Sequence, residues 1–264
     1  MRCRPNRSAP GSSAWECCSI ATSSDTFMVP VVFADEHVVV VDKPAGVPSV
    51  PARTRLDPAS VVERLAAEWG ALEATHRLDR DTCGLVVFAR TPAARAALGR
   101  AFESRLVRKR YLAVVHGTPP SAEGIVHQPL ADDPTAPPRK RVDPLIGRRA
   151  TSRWRRLAVA MDATGTTSLL ALEPVTGRSH QLRAHLAWLG VPIVGDRLYA
   201  RSGHGGAASG GPLALCGVAI DFPHPHDGRR IALVATVPAT APWTRFDTAC
   251  YAVGSSADPL TCDQ

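Results

Sequence analysis

The stretch of sequence that decides the fold is Thr75–Ala89, which reads THRLDRDTCGLVVFA. Its charged first half leads through Gly84 into Leu85–Ala89, an apolar run without polar alternation that is typical of a strand buried on both faces. Asp79 therefore precedes a buried strand, at the edge of a core and between two arginines in the sequence. Partly desolvated carboxylates of this kind are candidates for reactive groups, so Asp79 is the first candidate for a catalytic residue.

Strands dominate the elements predicted around this stretch. Apolar or β-branched runs predict further strands near residues 38–42, 107–115, 153–160, 166–173, 213–222 and 231–237. Several of these runs do not alternate between apolar and polar residues, which indicates strands covered on both faces. The sequence therefore predicts a mixed α and β fold.

Three helices are predicted from capping residues and apolar periodicity. The first is expected over about 57–70, with Asp57 as its N-cap. The second is expected over about 91–104, where a Thr-Pro pair gives the same kind of start. The third is expected over about 179–190, with Ser179 as its N-cap and a glycine at its end.

Composition favours a polyanionic partner without proving one. The chain has 31 Lys and Arg against 24 Asp and Glu, a net charge of +7. Such a basic balance raises the odds of an RNA partner. An excess of arginine also follows from a GC-rich genome, so charge alone leaves nucleic-acid binding open. The basic run at 139–156 is either a solvated face or a phosphate contact.

The cysteine pattern and the termini bear on location and domain organisation. Seven cysteines with no Cys-x-x-Cys spacing indicate reduced thiols and a cytoplasmic protein. No apolar run reaches transmembrane length, so no membrane association is expected.

We expect a disordered tail over 1–28, one catalytic domain over 29–248 and a frayed tail over 249–264. Translation could begin at Met1 or at Met28.

Metal chemistry is a weaker interpretation of the same residues. Asp79 and Asp81 form an Asp-x-Asp pair, as in metal-dependent phosphatases, but that chemistry needs further carboxylates after strands. His180 and His185 are five residues apart, about 140° around a helix. They cannot share a zinc ion as an i, i+4 pair does.

The motif His76-Arg77-Leu78-Asp79-x-x-Thr82-x-Gly84-Leu85 resembles the signature of the RluA-type pseudouridine synthases. Other segments resemble further motifs of that family: DKPAGVP at 42–48, KRYLAVVHG at 109–117, GRSHQLRAHL with the following GVPIVGDRLY at 177–199, and FPHP at 222–225. The resemblance spans about residues 31–240. Cys83 stands where the family has Ser, and we expect it to be a small structural residue rather than a nucleophile.

The resemblance implies a fold and an activity. The fold is the pseudouridine-synthase α/β (α+β) fold, a mixed, mostly antiparallel sheet with flanking helices and a central RNA-binding cleft. The activity is the isomerisation of specific uridines to pseudouridine in ribosomal or transfer RNA. An alternative is a catalytically inactive RNA-binding protein of the same fold. We expect a monomer without an obligate protein partner.

The resemblance also implies residue roles. Asp79 would be the catalytic residue, either attacking C1′ or assisting removal of the base. Arg183 would form a salt bridge to Asp79, Arg77 would fill the gap left by the flipped base, and Tyr111 would stack on that base. Because the isomerisation adds and oxidises nothing, no cofactor and no metal is expected. Lys43 is expected to shape the cleft without taking part in the chemistry.

Overall fold

The computed structural model describes residues 28–51, 58–163, 165–199 and 211–248. Apart from Met28, the predicted tails at 1–28 and 249–264 lie outside these residues, and so does Asp57. No helix in the described ranges is long and apolar enough to cross a membrane.

The described part of the chain is built mostly of strands, with three α-helices. In chain order the elements are β1 Val31–Ala34, β2 Val38–Lys43, α1 Val61–Trp69, β3 Glu73–Ala74, β4 Cys83–Ala89, α2 Pro92–Glu103, β5 Arg108–His116, β6 Glu123–Val126, β7 Leu130–Asp132, β8 Lys140–Val142, β9 Ser152–Asp162, β10 Gly165–Pro174, α3 Gln181–Trp188, β11 Leu215–Pro223, β12 Arg230–Val234 and a 3-10 turn at Trp243–Arg245. The strand runs predicted from the sequence are all present, with ends shifted by a few residues.

Ten of these strands form one sheet in the order β1-β2-β4-β11-β5-β10-β9-β6, with β12 added to β11 and β3 added to β4. The β4–β11 pairing is parallel, whereas the other pairings of described strands are antiparallel. Strands β7 and β8 form a separate ribbon. The predicted mixed, mostly antiparallel sheet with flanking helices is thus confirmed.

Strand β4 is buried along its whole length, as its lack of alternation predicts. Val86 and Phe88 belong to the main core, on the sheet face that also receives α1 and α3. Leu85 and Val87 point to the opposite face, where α2 supplies Leu98 to a second core. Helices on both faces therefore fix β4 firmly, and with it the loop that carries Asp79.

Two predicted helix starts are wrong. Helix α1 begins at Val61, and its N-cap is Ser60, whose hydroxyl accepts the Glu63 N–H while the Glu63 carboxylate accepts the Ser60 N–H. This reciprocal capping box fixes the start more firmly than a lone Asp57 could. Helix α3 begins after His180, not Ser179, and His180 makes no capping bond with its side chain.

Strands β4 and β11 approach each other unusually closely where Gly84 faces Gly217. A Cβ on Gly84 would lie 2.3 Å from the Gly217 carbonyl oxygen, and the φ of Gly84 is +112°. Only glycine satisfies both constraints, since the obstacle is backbone and the dihedral is strained for any L side chain. This glycine pair lets the single parallel pairing of the described strands form beside the cleft.

Gly84→Ala should therefore be strongly destabilising. We expect a loss of at least about 3 kcal/mol in the free energy of unfolding, from backbone strain together with the clash. Chemical denaturation would measure it.

Gly99→Ala is the matched control. Gly99 lies inside α2, and a Cβ there meets nothing within 4 Å. Alanine should stabilise the helix by about 0.5–1 kcal/mol. Equal stabilities for the two variants would contradict the proposed close approach.

Candidate active site

The four residues singled out from the sequence line one cleft. Its volume is about 710 Å³, and it opens between the loop preceding β4, the first half of β5 and the start of α3. Asp79, Arg77, Tyr111 and Arg183 all line its wall. They come from segments up to about a hundred residues apart, so the fold brings together what the sequence separates.

The loop preceding β4 is tied to that strand by side chains. The Thr75 hydroxyl donates to the Val87 carbonyl at 2.9 Å, and the Val87 N–H donates to Nε2 of His76 at 3.1 Å. Burial and the nearby charge of Lys109 lower the pKa of His76 to about 3, so the ring stays neutral and can accept this bond. These two bonds continue the β3–β4 ladder toward Asp79.

The backbone on both sides of Asp79 is fixed by Lys43, the last residue of β2, and by Ser49 in the segment that follows. Ser49 Oγ accepts the Leu78 N–H at 3.1 Å and donates to the Leu78 carbonyl at 3.0 Å. Lys43, fully buried, donates to the carbonyls of Arg80, Val47 and Pro44 at 2.8–2.9 Å. Lys43 therefore holds the loop in place.

Lys43 is an ionisable group in a fully buried position, where the charged form is disfavoured. Burial lowers its pKa to about 8, against the opposing effect of nearby acidic groups that include Asp79. Its three carbonyl acceptors match the three donors of an ammonium group, which favours the charged form. Lys43 thus adds positive potential behind the Asp79 loop.

Arg183 joins Asp79 to a second carboxylate. Its Nη1 lies 3.4 Å from Asp79 Oδ2, so the expected ion pair is present. Its Nε and Nη2 each lie 2.8 Å from an oxygen of Asp196, a two-bond contact of better geometry. The sequence motifs did not reveal that Asp196 is the principal partner of Arg183, although Asp196 belongs to one of them.

Asp196 is fully satisfied inside the protein. Its side chain is 0% exposed, and Oδ1 also accepts the N–H groups of Leu198 and Tyr199 at 3.0 and 3.2 Å. The Tyr199 ring covers the Arg183 guanidinium, 5.3 Å from ring centroid to Cζ. Burial acts to lower the pKa of Arg183, but its bonds to Asp196 raise it, so the guanidinium stays charged.

Tyr111 lines the cleft and is 7% exposed. A Cβ on Gly217 would lie 3.3 Å from the Tyr111 ring, so the glycine leaves room for the aromatic side chain. Burial raises the pKa of Tyr111 above its ordinary value, with a further contribution from the charge of Asp79. The neutral ring presents a flat apolar face beside the carboxylate.

Arg77 differs from the other three residues because it is exposed. Within the described ranges no acidic side chain pairs with it. Its guanidinium is therefore available to a ligand in the cleft.

His180 is a neighbour of Asp79 that the sequence motifs placed near the site without giving it a role. Its Nε2 lies 3.9 Å from Asp79 Oδ2, and its Nδ1 lies 3.3 Å from the Tyr199 hydroxyl. Its φ of 54° is left-handed, which is uncommon outside glycine. The turn that imposes this conformation is organised by Gln181, whose Oε1 accepts the Arg178 N–H at 3.0 Å.

The residues considered for metal binding have other partners. Asp81 pairs with Arg80 at 3.2 Å on the surface. His185 is buried and contacts Ser152 Oγ and the Gln128 carbonyl, both at 2.9 Å. In the described ranges no three His, Cys, Asp or Glu side chains are placed to hold a metal ion.

Comparison with known proteins decides the family. The family profile described as RNA pseudouridylate synthase matches residues 37–188. The chain belongs to this family. The synthase is therefore an enzyme that isomerises uridine to pseudouridine in RNA, and the resemblance seen in its sequence motifs is confirmed.

Relatives in bacteria carry the same assignment. The synthase is 41% identical over 170 residues to "Dual-specificity RNA pseudouridine synthase RluA" of Salmonella typhimurium, which covers 64% of this chain and 76% of the relative. The protein of the same name from Escherichia coli K12 gives the same figures, and that of Haemophilus influenzae is 39% identical over the same shares.

Solved structures support the fold. Human RNA Pseudouridylate Synthase Domain Containing 1 superimposes with a TM-score of 0.66 at 21% identity, covering 84% of this chain and 94% of that one. Human RNA Pseudouridylate Synthase Domain Containing 4 gives 0.62 at 23% identity, over 80% and 89%. At such identities the likeness concerns the fold alone.

Asp196→Asn should destabilise the synthase, because it leaves Arg183 buried without its main counter-charge. We expect a loss of about 3–5 kcal/mol in the free energy of unfolding, measured by denaturant titration. Glu73→Gln is the control, since the Glu73–Arg95 pair is exposed and should contribute at most about 1 kcal/mol. Similar losses in the two variants would contradict a structural role for the Arg183–Asp196 pair.

Cys83→Ser should leave activity within about twofold, roughly 0.4 kcal/mol of barrier. Cys83 is buried, and its thiol donates to the Leu215 carbonyl at 3.6 Å, a bond that a hydroxyl can replace. Its neighbour Cys216 is also a free thiol, and its pKa is raised by hydrogen bonding to Cys83 and by burial. Turnover on uridine-labelled RNA measures the effect, and a tenfold loss in a normally folded variant would make the thiol a participant.

Proposed function

We propose that Asp79 is the catalytic carboxylate of the synthase and that Arg77, Tyr111 and Arg183 bind the RNA substrate or hold the carboxylate. The observation that carries this proposal is the Asp79–Arg183 contact in a cleft that the other two residues also line. The residue types suit their proposed roles, since the set provides an anion for the chemistry, two cations and an aromatic ring.

The reaction breaks the C1′–N1 bond of a uridine, turns the uracil and forms a C1′–C5 bond. The hydrogen on C5 is lost to solvent and N1 gains a proton, so atoms balance without an oxidant. Asp79 assists either by attacking C1′ or by helping the base to leave. Both routes need the carboxylate, and Arg183 places a positive charge beside it.

The way in which Arg183 divides its contacts matters for reactivity. Asp196 takes two short bonds, whereas Asp79 is left with a single contact of 3.4 Å. A carboxylate held by two short bonds would be a poor nucleophile. The looser contact leaves the oxygens of Asp79 available to the sugar, and 19% of its side chain is exposed.

The target uridine must leave its stack to reach Asp79, at a cost of a few kcal/mol. Stacking of the flipped base on the Tyr111 ring would stabilise the flipped state by roughly 1–3 kcal/mol. Arg77 is exposed at the cleft and would occupy the gap left in the RNA. These contributions are comparable in size, which makes flipping feasible within the cleft.

The RNA classes we propose are ribosomal and transfer RNA. Relatives at 39–41% identity are named dual-specificity RNA pseudouridine synthases. We further propose that the enzyme is cytoplasmic, since Cys83 faces Cys216 as a free thiol. We also propose that it is a monomer, since all four site residues come from one chain. Light scattering of the active enzyme would test this state, and a stable dimer would contradict it.

The test of the catalytic proposal is tritium release from RNA labelled at C5 of uridine. The wild type should release tritium from ribosomal or transfer RNA, and Asp79→Asn should release none while binding RNA within about threefold of the wild type. Arg183→Lys keeps the charge but loses the fork that joins two carboxylates, and should slow turnover by about 10–100-fold.

Full activity of Asp79→Asn would exclude the proposed mechanism. RNA binding by the wild type without turnover on either RNA class would instead favour a binding protein that has lost catalysis.

A further inference from the structure

Helix α2 ends in a left-handed turn at an unexpected residue. The Arg105 N–H donates to the Phe102 carbonyl at 3.1 Å, and the Leu106 N–H donates to the Ala101 carbonyl at 2.9 Å. This is a Schellman motif, in which the left-handed position is usually glycine. Here Arg105 occupies it with a φ of 57°, and its exposed side chain lines the cleft.

Within the described ranges, no ion pair or hydrogen bond of the Arg105 side chain offsets the strain at this position. Glycine would close the same turn without the steric penalty of a side chain. Strain of this kind persists where a side chain is needed for function. In the described part of the chain, the other non-glycine residue with positive φ is His180, which also lines the cleft.

A second, independent observation concerns Lys109 on β5. It lies two residues before Tyr111 and therefore on the same face of the strand, roughly 7 Å along it. Its Nζ lies 5.7 Å from the centroid of the Phe102 ring and 3.9 Å from the position of a Cβ on Gly177. Lys109 thus points into the cleft beside the proposed base-stacking ring.

Lys109 is a cation in a largely buried position. Burial lowers its pKa, and within the described ranges no carboxylate pairs with it. Its neighbour His76 is neutral, since burial and Lys109 lower the pKa of that ring to about 3. The face of the Phe102 ring attracts the ammonium group but supplies no counter-charge, and neither does a neutral imidazole. An anion that enters the cleft would therefore gain a full charge–charge interaction with Lys109.

We propose that Arg105 and Lys109 form a phosphodiester-binding subsite that holds the RNA backbone next to the flipped uridine. The proposal rests on the proposed function of the cleft, and it goes beyond it by assigning two residues and a ligand group. Both side chains carry only hydrogen-bond donors. They therefore fit an anion whose oxygens accept, and they do not fit a base edge that itself presents donors.

A backbone subsite has a consequence for substrate choice. Phosphate contacts set the position of an RNA without reading its sequence. Because Lys109 and Tyr111 share one strand face, one nucleotide could contact both residues. The subsite would therefore place the target base over Tyr111 in any RNA whose backbone follows the cleft, which suits an enzyme acting on more than one RNA class.

The experiment uses the full chain and an unmodified transfer RNA transcript, with binding measured at a series of salt concentrations from about 50 to about 200 mM. Arg105→Gly and Lys109→Met remove one cation each. Arg100→Gln is the matched control, because Arg100 is an exposed residue of the same helix outside the cleft lining. Arg105→Lys tests rescue by retained charge.

We expect each cleft variant to weaken binding by about 3–10-fold and to reduce the slope of log K against log salt by about 0.7–0.9, the value for one lost phosphate contact. Arg105→Gly should also melt at a higher temperature than the wild type, because glycine relieves the left-handed strain. Arg100→Gln should change neither affinity nor slope, and Arg105→Lys should restore most of the affinity.

Equal affinities and slopes for the wild type, Arg105→Gly and Lys109→Met, whatever their value, would overturn the subsite. Since Arg105→Gly is expected to gain stability, weaker binding by that variant cannot be attributed to misfolding. The outcome is separable from the catalytic proposal: Asp79→Asn should keep the wild-type salt slope, and absent tritium release by the wild type would refute the role of Asp79 without altering the binding comparison.

Discussion

The arrangement of the cleft depends on one buried guanidinium shared by two carboxylates. Arg183 is 5% exposed at its side chain, and it would be prohibitively costly to bury without Asp196. The two short bonds to Asp196 fix the plane of the guanidinium, and the remaining nitrogen then points at Asp79. The single positive charge of Arg183 is therefore shared between Asp196, its closer partner, and Asp79.

Asp79 owes its position to polar side chains that bond to backbone rather than to the carboxylate itself. Ser49 fixes Leu78 and Lys43 fixes Arg80, while Thr75 and His76 anchor the loop to β4. Because these bonds hold the neighbours of Asp79, the carboxylate keeps its freedom to contact Arg183 and a substrate. The buried strand β4 is the rigid base on which this loop rests.

Local patterns predicted the strands well and the helix starts less well. Leu85–Ala89 lacks alternation and is buried on both faces, so its burial was readable from the sequence. The sequence predicts Asp57 as the N-cap of the first helix, but the reciprocal bonds between Ser60 and Glu63 decide the start of α1. The start of α3 could not be predicted, since the Gln181 side chain links the preceding turn to Ser152 of β9, which is distant in sequence.

In the candidate site, too, local motifs predicted some residues, whereas contacts between residues far apart in the sequence were not predictable. Motifs placed Asp79 and Arg183 in the site, and their contact is present. The dominant partner of Arg183 was missed because an ion pair thirteen residues along the chain has no periodic signature. The surroundings of Lys109 were equally unpredictable, because the sequence KRY does not reveal that its ammonium group is buried beside a neutral His76.

Departures from local rules concentrate where RNA would enter. Arg105 and His180 adopt left-handed conformations that glycine would adopt without strain, and both line the cleft. Had packing alone governed these positions, glycine or asparagine would serve better. Foldable sequences are locally consistent except where function requires otherwise. The strain at Arg105, together with a Lys109 ammonium that no carboxylate of the described residues pairs with, therefore points to an anionic ligand in the cleft that both residues line.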